Sequence, residues 1–578
     1  MKPLRTIRRR ACDVGAAWPE QVPPLLRQVY AARGAHDLSS AQPRLGQLPV
    51  PDGLHGIEPA TGLLAAAIAA DRHIVVVGDF DCDGASACAV AVRGLRLLGA
   101  RRVSYAVPNR MVHGYGLSPA LVADLAALQP ELLVTVDHGI ACHAGIAAAK
   151  AMGWQVLVTD HHLPGDALPP ADAIVNPNQP GDGFAGKALA GVGVIFYVLL
   201  ALRKRLREAG AFAAGAEPDL TVLLDLVAVG TVADLVPLDV HNRALVAAGL
   251  RRLRAGQGCA GLQALIEVSG RKAASLSAAD IGYAVAPRIN AAGRLEDMAV
   301  GIECLLCDDP RRARELAQTL DGINAERRAV QQQMVDEAEA ALSMLALAET
   351  ASAAHCLFDA SWHPGVVGLV ASKMKERLHR PVIAFAPSEP GSEWLRGSAR
   401  SIPGFHIRDA LAAVDAAHPS LIERFGGHAM AAGLSLRQAH LADFAAAFAD
   451  CAARTLDAES LCDVIASDGE LMPEAFVAAN ALALRDGGPW GQAFPEPVFD
   501  GEFAVLAWRP VGTQHLKLEL GLGPLRLNAI EFGGWTGTPP GARVRIAYRL
   551  ALDEYRGGEA IQLIVVHRES ADGREATA

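Results

Sequence analysis

A chain of 578 residues, 51% apolar and 20% charged, excludes a disordered polyelectrolyte and has the length for about three or four folded domains. Its formal net charge of −10 excludes a uniformly basic nucleic-acid-binding surface, although carboxylates gathered round divalent cations count as negative in that tally while being offset in the folded protein. Ten cysteines, scattered singly apart from Cys304-x-x-Cys307, fit reduced cytoplasmic thiols better than a disulfide framework, and that pair lacks a second one at zinc-finger spacing.

Residues 1–53 are rich in proline and arginine, with a short helical pattern near residues 25–32, and read as a wrapping or capping extension. The basic start lacks the continuous apolar run of a secretory signal. From 54 to 255, strands at 74–77, 103–107, 132–136, 156–159 and 173–175 alternate with helices, the pattern of a parallel sheet covered on both faces. The longest apolar run, 188–202, falls short of the roughly 17 to 25 residues of a bilayer span and reads as a buried helix, so no membrane association is expected. Residues 256–350 form a helical block whose last part is a long charged connecting helix. A smaller α/β unit covers 351–460, with strands at 356–358 and 382–385. Short β runs at 503–507, 516–520, 544–548 and 561–566, set among Gly and Pro within 461–578, suggest a small barrel of the OB type.

Three predicted strands end in clustered acids and imidazoles: Asp79, Asp81 and Asp83 after the first, Asp137 and His138 after the third, and Asp160, His161 and His162 after the fourth. Two carboxylates about 4 Å apart repel by about 4 kcal/mol at a protein surface, so such clusters usually hold a cation. One aspartate could cap the following helix; three are not explained that way. Strand ends of a parallel sheet share one edge, where open α/β sheets bind ligands. Oxygen-rich ligands with one or two imidazoles suit Mn2+ or Mg2+, and two such ions suit phosphodiester hydrolysis. Cys82 should point away from its neighbours by simple alternation.

The stretches GDFDCDG, VDHG, DHH and GTVADLVPL, in this order and spacing, resemble the DHH phosphoesterase superfamily, and FGGHAMAAGL resembles the end of its associated domain. With NRMVHGYGL and APRINAAGRL, the set is most similar to its branch of bacterial single-strand-specific 5′ exonucleases, over roughly residues 50–570. The resemblance implies that Asp81, Asp83, Asp137, His161 and Asp234 hold two Mn2+ or Mg2+ ions, with Asp137 bridging; Asp225 competes with Asp234 for the last place. Asp79, Asp160 and His162 match the same motifs as ligands or as groups that orient ligands. His138 is either a braced interior histidine or the acid for the leaving oxygen, and the catalytic role is preferred.

Arg110 and Tyr115, in a loop after the second strand, are expected to meet phosphate and base. Arg288, Asn290 and Arg294, in a turn-like stretch, are expected to contact DNA. The resemblance to the associated domain implies that, in the smaller unit, Arg400 and His428 grip the phosphate nearest the 5′ end, across a cleft from the metals. Ser398 and His363 support them, Ser401 lies in the same strand-and-turn, and Gly426 and Gly427 shape the pocket. Trp490, Phe494, Phe499, Phe503 and Trp508 offer aromatic surface for single-stranded DNA, unless they are core. The implied activity is 5′-to-3′ single-strand-specific DNA hydrolysis releasing 5′-mononucleotides, in DNA repair and recombination. The implied enzyme is a cytoplasmic monomer whose partners include a single-strand-binding protein and a helicase. The alternatives are a phosphodiesterase of short oligonucleotides or cyclic dinucleotides, and a non-catalytic replication scaffold.

Overall fold

The computed structural model describes residues 5–15, 18–109, 112–213, 215–345, 352–553 and 555–571, without side chains at 341–345. The chain divides into two compact units, one of Met1–Arg8 with Ala325–Ala466 and one of Arg9–Asn324 with Ser467–Ala578.

A short strand β1 (Arg5–Arg9) and helix Pro24–Ala31 precede a sheet of β2 (Ile74–Val77), β3 (Val103–Ala106), β4 (Leu132–Val136), β5 (Gln155–Thr159) and β6 (Ala173–Val175). Every pairing is parallel and the order is β3-β2-β4-β5-β6. Period-two alternation sends Val75 and Val77 into a core with Leu121 and Ile146, and Ile74 and Val76 into one with Val92 and Leu199. Both faces are therefore covered, which is why these strands read as unbroken apolar runs. The chain leaves β2 outward to β3 and then returns to β4 on the other side. The order reverses at the carboxyl ends of β2 and β4, opening the crevice where doubly wound sheets bind ligands.

The apolar run at 188–202 becomes helix Gly191–Glu208, buried along most of its length and basic in its last turn. Among the described residues, no helix is long and apolar enough to cross a membrane. The stretch containing Arg288, Asn290 and Arg294 is not turn-like: it is helix Ala286–Leu295, entered through a π-helical turn at Ile281–Val285. Its Gly293 reads as a turn residue but marks close packing, because a Cβ there would lie 1.8 Å from the Phe80 carbonyl oxygen. The connecting helix runs over Pro310–Leu345 as expected.

In the smaller unit, β7 (His355–Phe358), β8 (Val382–Pro387), β9 (Trp394–Arg400), β10 (Arg424–Gly427) and β11 (Ala431–Arg437) form a sheet of order β10-β11-β9-β8-β7. Only β7 and β8 are parallel. Helices Val367–Leu378, Ile407–Ala417 and Leu441–Thr455 accompany it around a separate core that includes Phe385, Phe444 and Phe448.

After β12 (Asp463–Ser467), strands β13 (Phe499–Val511), β14 (His515–Leu522), β15 (Leu525–Glu531), β16 (Arg543–Leu552) and β17 (Ile561–Ser570) close into a barrel. Strand β15 is absent from the sequence reading; it closes the barrel by pairing in parallel with β17. Four of the five anticipated stacking aromatics are not free surface. Phe494, Phe499 and Phe503 are buried, and Trp490 stacks on Phe494 at 5.3 Å. Trp508 alone of the five is exposed, stacked on Trp535 at 5.5 Å.

The barrel shares one continuous core with the sheet of the larger unit. The N-terminal extension joins it: the Tyr30 hydroxyl donates to the Gly487 carbonyl at 2.8 Å, and Arg33 donates to both Asp468 oxygens at 2.8 and 2.9 Å. Both side chains of this ion pair are enclosed, at 1% and 0% exposure. Removing one partner leaves a buried charge uncompensated, so Asp468→Ala should cost about 3 to 5 kcal/mol of stability in urea unfolding, far more than an exposed ion pair would.

Candidate functional site

Strand β2 ends at Val77, and the next turn delivers three aspartates in different ways. Asp79 accepts from the Phe80 amide at 2.8 Å. Asp81 caps helix Cys82–Leu97 by accepting from the Gly84 amide at 3.0 Å. Asp83, buried in the first turn of that helix, accepts from the amides of Gly191 and Val192 at 2.7 and 3.1 Å. These are the first amides of Gly191–Glu208, whose partial positive charge favours a carboxylate. Cys82 is buried and burial pushes its thiol up; its amide donates to Asn290 Oδ1 at 2.9 Å.

Asp137 follows β4 with a left-handed φ of 64°. Its Oδ1 is buried, accepts no hydrogen bond, and lies 3.2 Å from His161 Nε2. His161 Nε2 is in turn 3.5 Å from Asp234 Oδ2 at the end of helix Leu224–Ala233. Among the described residues, ligand atoms fall into three overlapping sets, each within 4.8 Å: Asp79, Asp81 and Asp137; Asp83, His161 and Asp234; Asp137, His161 and His162. Burial and then mutual repulsion raise Asp83 and Asp137 well above the usual carboxylate range, and burial with the charge of Asp81 pushes Asp234 up to about 7. Such a site favours a compensating cation. Two glycines make room for it. A Cβ on Gly191 would lie 2.4 Å from Asp137 Oδ1, and one on Gly230 would lie 2.6 Å from Asp83 Oδ1. Asp225, the competitor of Asp234, instead accepts from the Leu226 and Cys259 amides.

Asp160 orients the tandem histidines. It accepts from the amides of Ile140, His161 and His162 at 2.9, 2.7 and 3.0 Å, and from His162 Nδ1 at 2.7 Å. Burial, the largest single influence, works to raise its pKa, but the hydrogen bond and charge of His162 together with the backbone amides outweigh it and hold Asp160 below the usual range. Burial likewise opposes the His162 imidazolium, and Asp160 outweighs it, raising His162 to about 9. Asn178 and Asn176 donate to the His161 and His162 carbonyls at 2.6 and 2.8 Å. Sequence reading misses both asparagines; the only signal is Asn-Pro-Asn just past β6.

His138 lies inside the fold. It is wholly buried, its Nε2 donates to the Val77 carbonyl at 3.0 Å, and burial lowers its pKa to about 4. It braces the ends of β2 and β4. Arg110 lies outside the described residues. Tyr115 is 52% exposed and edge-on to His162 at 6.3 Å and to Phe80 at 5.9 Å. Arg288 is enclosed, donates to the Ala284 carbonyl and forms an ion pair with Asp321 at 2.8 Å, which ties it to the helical block. Asn290 is committed to the Cys82 amide, which makes it a support of the aspartate loop. Arg294 occupies the last turn of its helix.

The smaller unit gathers a second polar group. Arg400 donates to Ser398 Oγ at 2.9 Å, and a Cβ on Gly368, in the first turn of Val367–Leu378, would lie 2.9 Å from that oxygen and 3.0 Å from Arg400 Nη2. His363 Nδ1 accepts from the Gly365 amide at 3.1 Å. The His428 amide donates to Ala431 at 2.8 Å across the β10–β11 turn. Gly427 has φ 143° and a Cβ there would lie 2.5 Å from the Ala431 carbonyl oxygen, while Gly426 faces open space. Ser401 departs from expectation: it is buried and its hydroxyl donates to the Phe405 carbonyl at 2.6 Å, so it holds the turn and is not available to a ligand.

A doubly wound sheet with aspartates and tandem histidines meeting at its switch point defines a DHH-type phosphoesterase. Accordingly, the DHH family N-terminal domain matches residues 73–231, the DHHA1 domain 349–454 and the RecJ OB domain 467–567. The single-stranded-DNA-specific exonuclease RecJ of Dickeya dadantii is 50% identical over 568 residues, 97% of this chain and 98% of the relative. The crystal structure of RecJ from Thermus thermophilus in complex with Mn2+ matches at TM-score 0.79 and 31% identity, over 95% of this chain and 76% of that one. The corresponding Mg2+ complex matches at TM-score 0.74 and 29% identity, over 95% and 75%. The chain belongs to the RecJ family.

Because Gly191 leaves no space for a methyl beside Asp137, Gly191→Ala should weaken divalent-cation binding by about tenfold or more in calorimetric titration, equal to about 1.4 kcal/mol.

Proposed function

We propose that this protein is a metal-dependent, single-strand-specific DNA exonuclease that acts from the 5′ end and releases 5′-mononucleotides, in DNA repair and recombination. The observation that carries this reading is the meeting of three strand ends at one switch point, with Asp137 shared between two sets of ligand atoms. Near-full-length identity to RecJ exonucleases supports the DNA substrate. The OB-type barrel and retained ligands favour it over a short-oligonucleotide phosphodiesterase or a scaffold.

In this reading Asp79, Asp81, Asp83, Asp137, His161 and Asp234 hold two divalent cations, Mn2+ or Mg2+. When bound, such ions lower the pKa of water and offset charge on the phosphate being cut. Asp160 holds His162 by its Nδ1 and aims the ring at the site, where it contacts a phosphate oxygen. Asn176 and Asn178 keep the tandem histidines in register, and His138 holds the strand ends together. Arg400, Ser398, His363 and His428, shaped by Gly426 and Gly427, anchor the 5′-terminal phosphate, which accounts for end selectivity. Arg110, Tyr115 and Arg294 guide the strand. Ten free cysteines support a reducing, cytoplasmic setting. The family resemblance adds a monomeric state and cooperation with a single-strand-binding protein and a helicase.

Digestion of end-labelled single strands of both polarities tests the reading: mononucleotides should come from the 5′ end alone. Asp137→Ala should abolish turnover with its thermal midpoint retained, because the lost carboxylate fills a polar site rather than a core; wild-type activity in Mn2+ would remove the shared-ligand assignment.

Arg400→Ala should weaken hydrolysis of 5′-phosphorylated strands by about 1.5 to 3 kcal/mol, the worth of a charged hydrogen bond. Kinetics on matched 5′-phosphate and 5′-hydroxyl strands check this, and an equal loss on both would contradict a terminal-phosphate anchor.

A further inference from the structure

Leu235 directly follows Asp234, and its φ of 61° lies in the left-handed region. The position just past the end of helix Leu224–Ala233 commonly takes this conformation, with glycine as its usual occupant. Aspartate and asparagine tolerate the region because their short polar side chains can bond locally; leucine has no such compensation. The strained backbone gains no packing. Leu235 is 71% exposed, whereas Ala233 and Val236 beside it pack against the main core. Strained, exposed residues of this kind gather at functional sites.

Its place along the chain ties it to the ligand cluster. Asp234 reaches His161, and the chain beyond His161 continues through His162 to Leu163, itself 63% exposed. Tyr115, edge-on to His162, is 52% exposed. Apolar side chains thus flank the ligand-bearing strand ends on several elements, where a polar rim would suit phosphate alone. Resting on the exonuclease reading, we infer that Leu235 packs against the nucleobase of the nucleotide being released and thereby sets it beside the ligand cluster. An aliphatic contact reads the apolar face common to all bases, which suits an enzyme indifferent to sequence.

The test uses the full-length enzyme with Mn2+, a 5′-phosphorylated single strand of mixed sequence, and the same strand with an abasic terminal nucleotide. Leu235→Gly and Leu235→Asn relieve or tolerate the backbone, so their thermal midpoints should equal or exceed that of the wild type. Their kcat/KM should fall about tenfold on the normal strand but less than about twofold on the abasic one, because the partner of the lost contact is already missing. Leu235→Met should restore most of the rate. Unchanged kcat/KM on the normal strand, equal losses on both strands, or a lowered thermal midpoint accompanying the loss would each overturn the contact. A wild-type enzyme that leaves the normal strand intact would instead remove the exonuclease reading, and this inference with it.

Discussion

Carboxylates enclosed within a few ångströms of one another repel, and the larger unit is arranged to tolerate that repulsion. Asp83 is held by the leading amides of Gly191–Glu208, Asp81 by the turn it caps, and Asp160 by three amides and an imidazole. Each anchor comes from a different element, so the cluster exists only once the sheet, its crossover helices and the helical block are in place. The doubly wound topology supplies that convergence by bringing the ends of β2, β4 and β5 to one edge.

Space matters as much as charge. Gly191 and Gly230 allow helices to approach Asp137 and Asp83 more closely than any other residue would, and Gly293 lets helix Ala286–Leu295 lie against the Phe80 carbonyl. Two left-handed residues, Asp137 and Leu235, complete the edge. These are backbone solutions to a side-chain problem: the aspartates need short, fixed reaches, and the chain is bent and thinned around them.

The sheet and its ligand-bearing ends are legible in the sequence because both have local signatures, apolar runs of strand length followed by alternating acids. The barrel is legible for the same reason except at β15, whose Leu525-Arg526-Leu527-Asn528 mixes apolar and polar residues; it pairs with β14 across a tight turn and in parallel with β17. Sequence reading does not reveal the partners of Arg288, Asn290 and Ser401, because polarity does not show what a side chain already holds. Asp321 and the Cys82 amide are brought in by tertiary structure, and the Phe405 carbonyl by the turn that closes after β9. The same holds for Phe499 and Phe503, which composition cannot assign to surface or core. Asn176 and Asn178 escape notice because an Asn-Pro-Asn turn is ordinary until the carbonyls it holds are known.

The pairing of the N-terminal extension with residues after 467 bears on how the protein emerges from the ribosome. Tyr30 and Arg33 must wait for Gly487 and Asp468, partners 457 and 435 residues further along the chain. Until then Trp18 and Tyr30 have no finished core to enter, whereas the smaller unit, whose core lies almost wholly within one continuous stretch, can form while synthesis continues. Contacts of such separation form late and slowly. A nascent chain halted before the barrel would therefore display unfilled apolar surface at its start.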